Sequence, residues 1–252
     1  MIARKNQRRI LKILSLILCL WGGQQGGLGL YLGQPNLLKM NKNLPSGLKI
    51  VVLTFDDGPS RVTPKILQVL AQKQVRATFF VLGERVKRFP KLLKCIHEDG
   101  HEIGNHSYFH PRFSKINLHD IDLEISTTLD IIGSIVPQKI KWFRPPYGIV
   151  NQDVRSAART HKLTIVKWTV DPEDWKNHSS DELVEHIKAK VRNGSIILFH
   201  DTHMRTVNAL PEIIDFLHEE GFTCVTLGEW LRLGGQENRH LQDSFHTELS
   251  KK

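Results

Sequence analysis

From Leu48 onward the chain alternates short apolar runs with amphipathic stretches. The apolar runs fall at residues 48–55 (LKIVVLTF), 77–82 (ATFFVL), 101–105, 139–143, 163–169, 195–199 (SIILF) and 222–226, and each reads as a strand. Between them, residues 63–74, 90–99, 118–135, 152–160, 180–192 and 208–220 carry helical patterns; in the last, Leu210, Ile213, Ile214 and Leu217 recur at helical spacing. Gly100, Gly194 and Gly221 each stand between a helix and the next strand, as glycines that terminate helices do. Strands alternating with helices predict a parallel α/β fold. Runs as apolar as VVLTF and SIILF suit a sheet or barrel covered on both faces.

The remaining segments read differently. Residues 28–47 are rich in Gly, Asn, Leu and Pro without periodicity, and form a linker. Residues 234–252 are polar and unpatterned, as a frayed tail is. In residues 1–27, Arg4, Lys5, Arg8, Arg9 and Lys12 precede the nine-residue apolar run ILSLILCLW. A spanning helix needs about 20 apolar residues. The leader therefore reads as an export signal, or as a short N-terminal anchor, and a protein so led is periplasmic, envelope-bound or secreted.

The charge of +9 suggests a nucleic-acid partner until its distribution is read. Residues 1–55 hold eight Lys/Arg and no acid, leaving 27 cations against 26 acids in residues 56–252. The folded part is close to neutral, which argues against nucleic acid and limits membrane contact to the leader. With 40% hydrophobic and 24% charged residues the chain is ordinary globular material. Cys19 lies in the leader, and the large Leu18 before it does not suit a lipoprotein site. Cys95 and Cys224 make no disulfide framework and no zinc signature; they read as two buried free thiols, with pairing after export as the alternative. Any metal site must use His and carboxylates.

In parallel α/β folds, sites gather at the carboxyl ends of strands. There the first run gives Asp56-Asp57-Gly58-Pro59, two adjacent carboxylates that are costly together unless neutralised, or else a solvated turn. The third gives His106 and His110, which with a carboxylate make a two-His, one-carboxylate metal site, or else are surface histidines in a loop that Pro111 shapes. The fourth gives Arg144-Pro145-Pro146-Tyr147-Gly148, a stiffened turn whose following N–H groups suit an oxyanion hole. The fifth gives Asp171-Pro172-Glu173-Asp174-Trp175, and the sixth Leu198-Phe199-His200-Asp201, in which a His at a buried strand end suits a general acid. Taken singly, each has a plainer structural explanation. Together, five strands in chain order deliver an acid, imidazole or guanidinium to one face.

At this point the sequence resembles a known family. TFDDGPS, HSYFH, RPPYG, DPEDW and LFH look like the five ordered motifs of the polysaccharide deacetylases, the NodB-homology domain of carbohydrate esterase family four, over residues 48–233. The resemblance implies a distorted seven-stranded (β/α) barrel. It implies a divalent metal, zinc first, with cobalt or another divalent ion as alternatives, held by Asp57, His106 and His110. It also implies Asp56 as the base, Arg144 as the residue that orients it, His200 as the general acid paired with Asp174, and the Tyr147 N–H as oxyanion donor. Trp175 and Leu198 would wall the acetyl methyl. The expected protein is an exported, monomeric N-deacetylase acting on N-acetylglucosamine units of a peptidoglycan or chitin-like glycan. An O-acetyl esterase on xylan is the alternative enzyme. A silent glycan-binding module does not need both Asp56 and His200, a structural metalloprotein does not need open coordination, and a cytosolic amidase does not need the leader.

Overall fold

The computed structural model describes residues 47–233. The expected leader, linker and C-terminal tail lie outside these residues, apart from the linker's last position.

Seven strands run parallel in one sheet: β1 (Lys49–Gly58), β2 (Thr78–Val81), β3 (Glu102–Asn105), β4 (Trp142–Phe143), β5 (Thr164–Ile165), β6 (Ser195–His200) and β7 (Phe222–Val225). Eight helices connect or follow them among the described residues. These are α1 (Thr63–Lys73), α2 (Gly83–Arg88), α3 (Pro90–Glu98), α4 (Leu118–Ile135), α5 (Gln152–Thr160), α6 (Ser180–Lys190), α7 (Met204–Glu219) and α8 (Leu227–Arg232). The sheet order is β5-β4-β3-β2-β1-β6, with β7 also paired to β1. After β5 the chain returns to the other end of this order, where Val170 bridges Ile197 of β6, and this link curls the sheet into the expected barrel. No helix among the described residues is long and apolar enough to cross a membrane.

Each strand but one follows its apolar run to within a few residues. The exception is β5, expected over residues 163–169 and only two residues long. The carbonyls of Val166 and Lys167, which would have continued the ladder, accept hydrogen bonds from the Arg144 guanidinium instead. Helix α7 starts four residues before the expected Asn208 and carries Pro211 in its interior. Gly100 and Gly221 follow their helices at positive φ (80° and 79°), a conformation glycine enters without a Cβ penalty, whereas Gly194 lies further along its connection. Cys224 is a free thiol that burial pushes up to about 12; Cys95 is not free, so the reading of two free thiols holds for Cys224 alone.

Two faces of the sheet do different work. Phe55 stacks between Phe79 and Phe199 at 5.0 and 5.6 Å, in a fully buried layer. Alternation along the strands sends Thr54 and Asp56 of β1, and Leu198 and His200 of β6, to the opposite face. Register then sets the site. Asp56 pairs with both Phe80 and His200, Phe80 with Gly104, and Asn105 with Phe143. Asp56, His200, the start of the histidine loop and Arg144 therefore lie within two residues of one line across the carboxyl end of the sheet.

Candidate active site

Asp56 and Asp57 belong to the last turn of pleat in β1 rather than to the loop after it. Asp56 is buried, and its Oδ1 accepts from Arg144 Nη1 at 2.8 Å. Arg144 is fully buried as well and spends its other donors on Thr54 Oγ1 (2.7 Å) and the Val166 and Lys167 carbonyls, with its guanidinium 4.2 Å from the Phe80 ring. Burial holds the Asp56 carboxyl above the usual carboxylate range, against the opposing pull of Arg144, His200 and His110. A carboxylate so held is a stronger proton acceptor than one in water.

Asp57 points elsewhere, because its backbone is left-handed (φ 71°). Its Oδ1 lies 3.5 Å from His106 Nε2 and 3.6 Å from His110 Nε2, while Asp56 Oδ2 lies 3.6 Å from His106 Nε2. Asp57, His106 and His110 are the one group among the described residues that could hold a metal ion. The donor set fits a divalent cation. Asp57 Oδ1 is buried without a hydrogen-bond partner, an arrangement that costs free energy unless a positive charge meets it. His106 Nδ1 donates to the Arg144 carbonyl at 2.5 Å, which leaves the Nε2 lone pair free, and burial drives the ring's pKa down to about 3, so the ring is neutral.

The histidine loop is held by residues that motif reading did not single out. Glu124 of α4 accepts from the backbone N–H of both Tyr108 and Phe109, at 2.7 and 2.8 Å through one oxygen. Buried Asn105 accepts from the Ser107 N–H, and Ser107 Oγ accepts from the His110 N–H. Ser107 and His110 take left-handed backbones (φ 75° and 60°) that such bonds must hold in place. Glu124→Ala would leave two loop N–H groups without their acceptor. It is expected to weaken cobalt(II) binding by about tenfold with little loss of thermal stability, as read by titrating cobalt into metal-free protein.

His200 ends β6. Its Nδ1–H donates to Asp174 Oδ1 at 2.6 Å, and its backbone N–H to Asp174 Oδ2 at 2.8 Å. Thr206 Oγ1 also donates to Oδ2, so the fully buried Asp174 takes three donors. Burial lowers the pKa of His200, but the hydrogen bond and charge of Asp174, with Asp56 and Asp57, outweigh it and raise the ring to about 9. Tyr147 sits at φ 58° in the turn after β4, exposed, with its ring 4.7 Å from that of His110. Trp175 follows Asp174 directly and exposes half its surface, while Leu198 is buried two residues before His200 on the same strand face. Beside the site, Asp201 is fully buried, and burial pushes its carboxyl up to about 7, with Thr63 and His200 opposing and Asp57 and Asp56 adding to the rise.

The acids, imidazoles and guanidinium to which the resemblance assigns a role thus lie at one end of the barrel, and they meet in two clusters: Asp56, Asp57, His106, His110 and Arg144, and His200 with Asp174. Comparison with known proteins agrees with the fold and the family resemblance. Residues 44–166 match the polysaccharide deacetylase family model. A peptidoglycan-N-acetylglucosamine deacetylase of Bacillus cereus is 41% identical over 182 residues, 70% of this chain and 66% of that protein. A chitooligosaccharide deacetylase of Sinorhizobium fredii is 38% identical over 197 residues, 72% of this chain and 92% of that protein. Among solved structures, a family 4 carbohydrate esterase from Streptomyces lividans in complex with acetate superposes with a TM-score of 0.68 at 38% identity, covering 70% of this chain and 91% of that one. The chain belongs to the polysaccharide deacetylase family.

Proposed function

We propose that the protein is an exported, metal-dependent hydrolase that removes N-linked acetyl groups from N-acetylglucosamine units of a cell-envelope glycan, releasing acetate. The observation that carries this reading is the convergence of the Asp57, His106 and His110 donor atoms beside the paired strand positions Asp56 and His200. The names of the relatives favour peptidoglycan and chitin-like glycans. The cationic, apolar leader supports export. An O-acetyl esterase acting on xylan is the alternative, because the same groups suit ester hydrolysis.

Asp57, His106 and His110 would hold a divalent cation, zinc in the first instance. Bound there, such an ion supplies Lewis-acid polarisation of an acyl carbonyl and lowers the pKa of water. Asp56 accepts the proton of the attacking water through Oδ2, while Arg144 fixes Oδ1 and so the plane of the carboxylate. The Tyr147 N–H donates to the carbonyl oxygen as it gains charge. Protonated His200 delivers its Nε2 proton to the amide nitrogen as the C–N bond breaks, and Asp174 holds the ring at the opposite nitrogen. Leu198 and Trp175 bound the space for the acetyl methyl and crowd longer acyl groups.

The test is acetate release from peptidoglycan, chitin oligomers and acetylated xylan assayed side by side. Acetate with matching free amine is expected from the first two; release from xylan alone would favour the esterase. Excess chelator is expected to silence the enzyme, and added zinc or cobalt to restore it. Full turnover in excess chelator would remove the cation from the reaction.

A further inference from the structure

We infer that Asp201 is a positioning residue that fixes the corner of chain carrying Asp57, and through it the affinity of the Asp57–His106–His110 triad for a divalent cation. This rests on the metal reading of that triad. Neither the family motifs nor the reaction above uses Asp201.

The geometry is unusually dense for one residue. The Asp201 backbone N–H donates to the Asp56 carbonyl at 3.2 Å, and its own carbonyl accepts from Ser60 Oγ at 2.6 Å. Its Oδ2 accepts from Thr63 Oγ1 at 2.6 Å, and that hydroxyl oxygen in turn accepts from the Ser60 N–H at 2.7 Å. Ser60 Oγ also accepts from the Val62 N–H, closing the turn on itself. The carboxylate packs flat against Gly58: a methyl group on Gly58 would come within 2.1 Å of Oδ2 and 2.3 Å of Oδ1. Residues on both sides of Asp57 are therefore tied to a single buried side chain and its peptide groups, at the point where β6 delivers His200.

Those ties matter because Asp57 holds a left-handed backbone, which costs a residue with a Cβ free energy and is kept only where its surroundings favour it. Outer partners of this kind orient ligands, and their loss typically weakens metal binding by about 10–100-fold. Acting through hydrogen bonds and packing, Asp201 should be replaceable by a residue of the same shape. An Asn retains an oxygen for the Thr63 hydroxyl and fills the same space against Gly58. An Ala does neither.

The experiment is cobalt(II) titration into metal-free protein, followed by the visible absorption of the bound ion, with melting temperature measured in parallel. Asp201→Ala is expected to weaken binding at least about tenfold, and Asp201→Asn to stay within about threefold of wild type. Gly58→Ala, which forces the carboxylate out of place from the other side, is expected to behave like Asp201→Ala and keeps the test open if that variant does not fold. Wild-type cobalt affinity in folded Asp201→Ala or Gly58→Ala, with only the melting temperature lowered, would overturn the inference. So would an Asp201→Asn protein as weak as Asp201→Ala. Wild-type protein that takes up no cobalt would instead overturn the metal reading on which the inference depends.

Discussion

Replacing Asp56 by Asn is expected to slow acetate release by about 10³-fold or more while cobalt uptake stays at about one ion per chain. The two effects separate because Asp56 and the triad proposed to bind the cation are distinct groups. Asp57, His106 and His110 supply the converging donor atoms, and Asp56 stands 3.6 Å away from His106 with its other oxygen bound to Arg144. An amide cannot take a proton from water at neutral pH, so the base is lost. The fold should largely survive. Arg144 keeps Thr54 and two carbonyls as acceptors, and the Asn oxygen can still take Nη1. Unfolding free energy should fall by about 1–3 kcal/mol, as urea denaturation would measure. Turnover within tenfold of wild type would remove Asp56 as the base, whatever the metal content.

The residues proposed to do chemistry were legible in the sequence because they are polar types placed at the ends of strongly apolar strands. A parallel sheet brings strand ends together whatever its details, so chain order alone assembled Asp56, His106, Arg144, Asp174 and His200. Their supports were not legible. Glu124 lies on the exposed-looking stretch of an amphipathic helix, and nothing local says that it reaches back 15 and 16 residues to two loop N–H groups. Thr54 and Thr206 look like ordinary strand and helix residues until Arg144 and Asp174 turn toward them. Backbone strain was equally hidden. Of seven non-glycine residues with positive φ among those described, Asp57, Ser107, His110, Tyr147 and Glu173 lie in or directly beside the site, where tertiary bonds outweigh local preference.

The lapses in element reading have similar causes. Strand β5 stops early where Arg144, 22 and 23 residues away in sequence, takes the carbonyls of the two residues that follow it, Val166 and Lys167. Helices α2 and α8 are six residues each, too short for a periodic pattern to stand out. A signal for α8 was nonetheless present: Thr226 and Glu229 form a capping box, a spacing that marks a helix start without any periodicity.

Replacing Asp174 by Asn should move the alkaline limb of the pH–rate profile to lower pH, and the loss of rate should grow as pH rises. His200 titrates at about 9 because Asp174, together with Asp56 and Asp57, more than offsets the lowering effect of burial. A cation on Asp57 cancels part of the contribution from those two acids, whereas that of Asp174 persists. Losing one charge-assisted hydrogen bond is worth about 1.5–3 kcal/mol, or about one to two pKa units. Asn also serves its neighbours poorly. Asp174 accepts from His200 Nδ1, the His200 N–H and Thr206 Oγ1, and an amide offers one oxygen to these three donors. At pH 8 the variant's His200 should be half or more neutral, unable in that form to protonate the departing amine, with a rate about two- to tenfold below wild type. Near pH 6 the deficit should shrink. Stability follows the same sign. A histidine whose pKa rises from 6.5 to about 9 on folding contributes stability that is whole below 6.5 and is lost as pH climbs through 9. Wild-type protein should therefore become easier to unfold across that interval, and the variant should lose most of this dependence. An unshifted alkaline limb, or a deficit equal at every pH, would mean that Asp174 braces the loop without tuning His200.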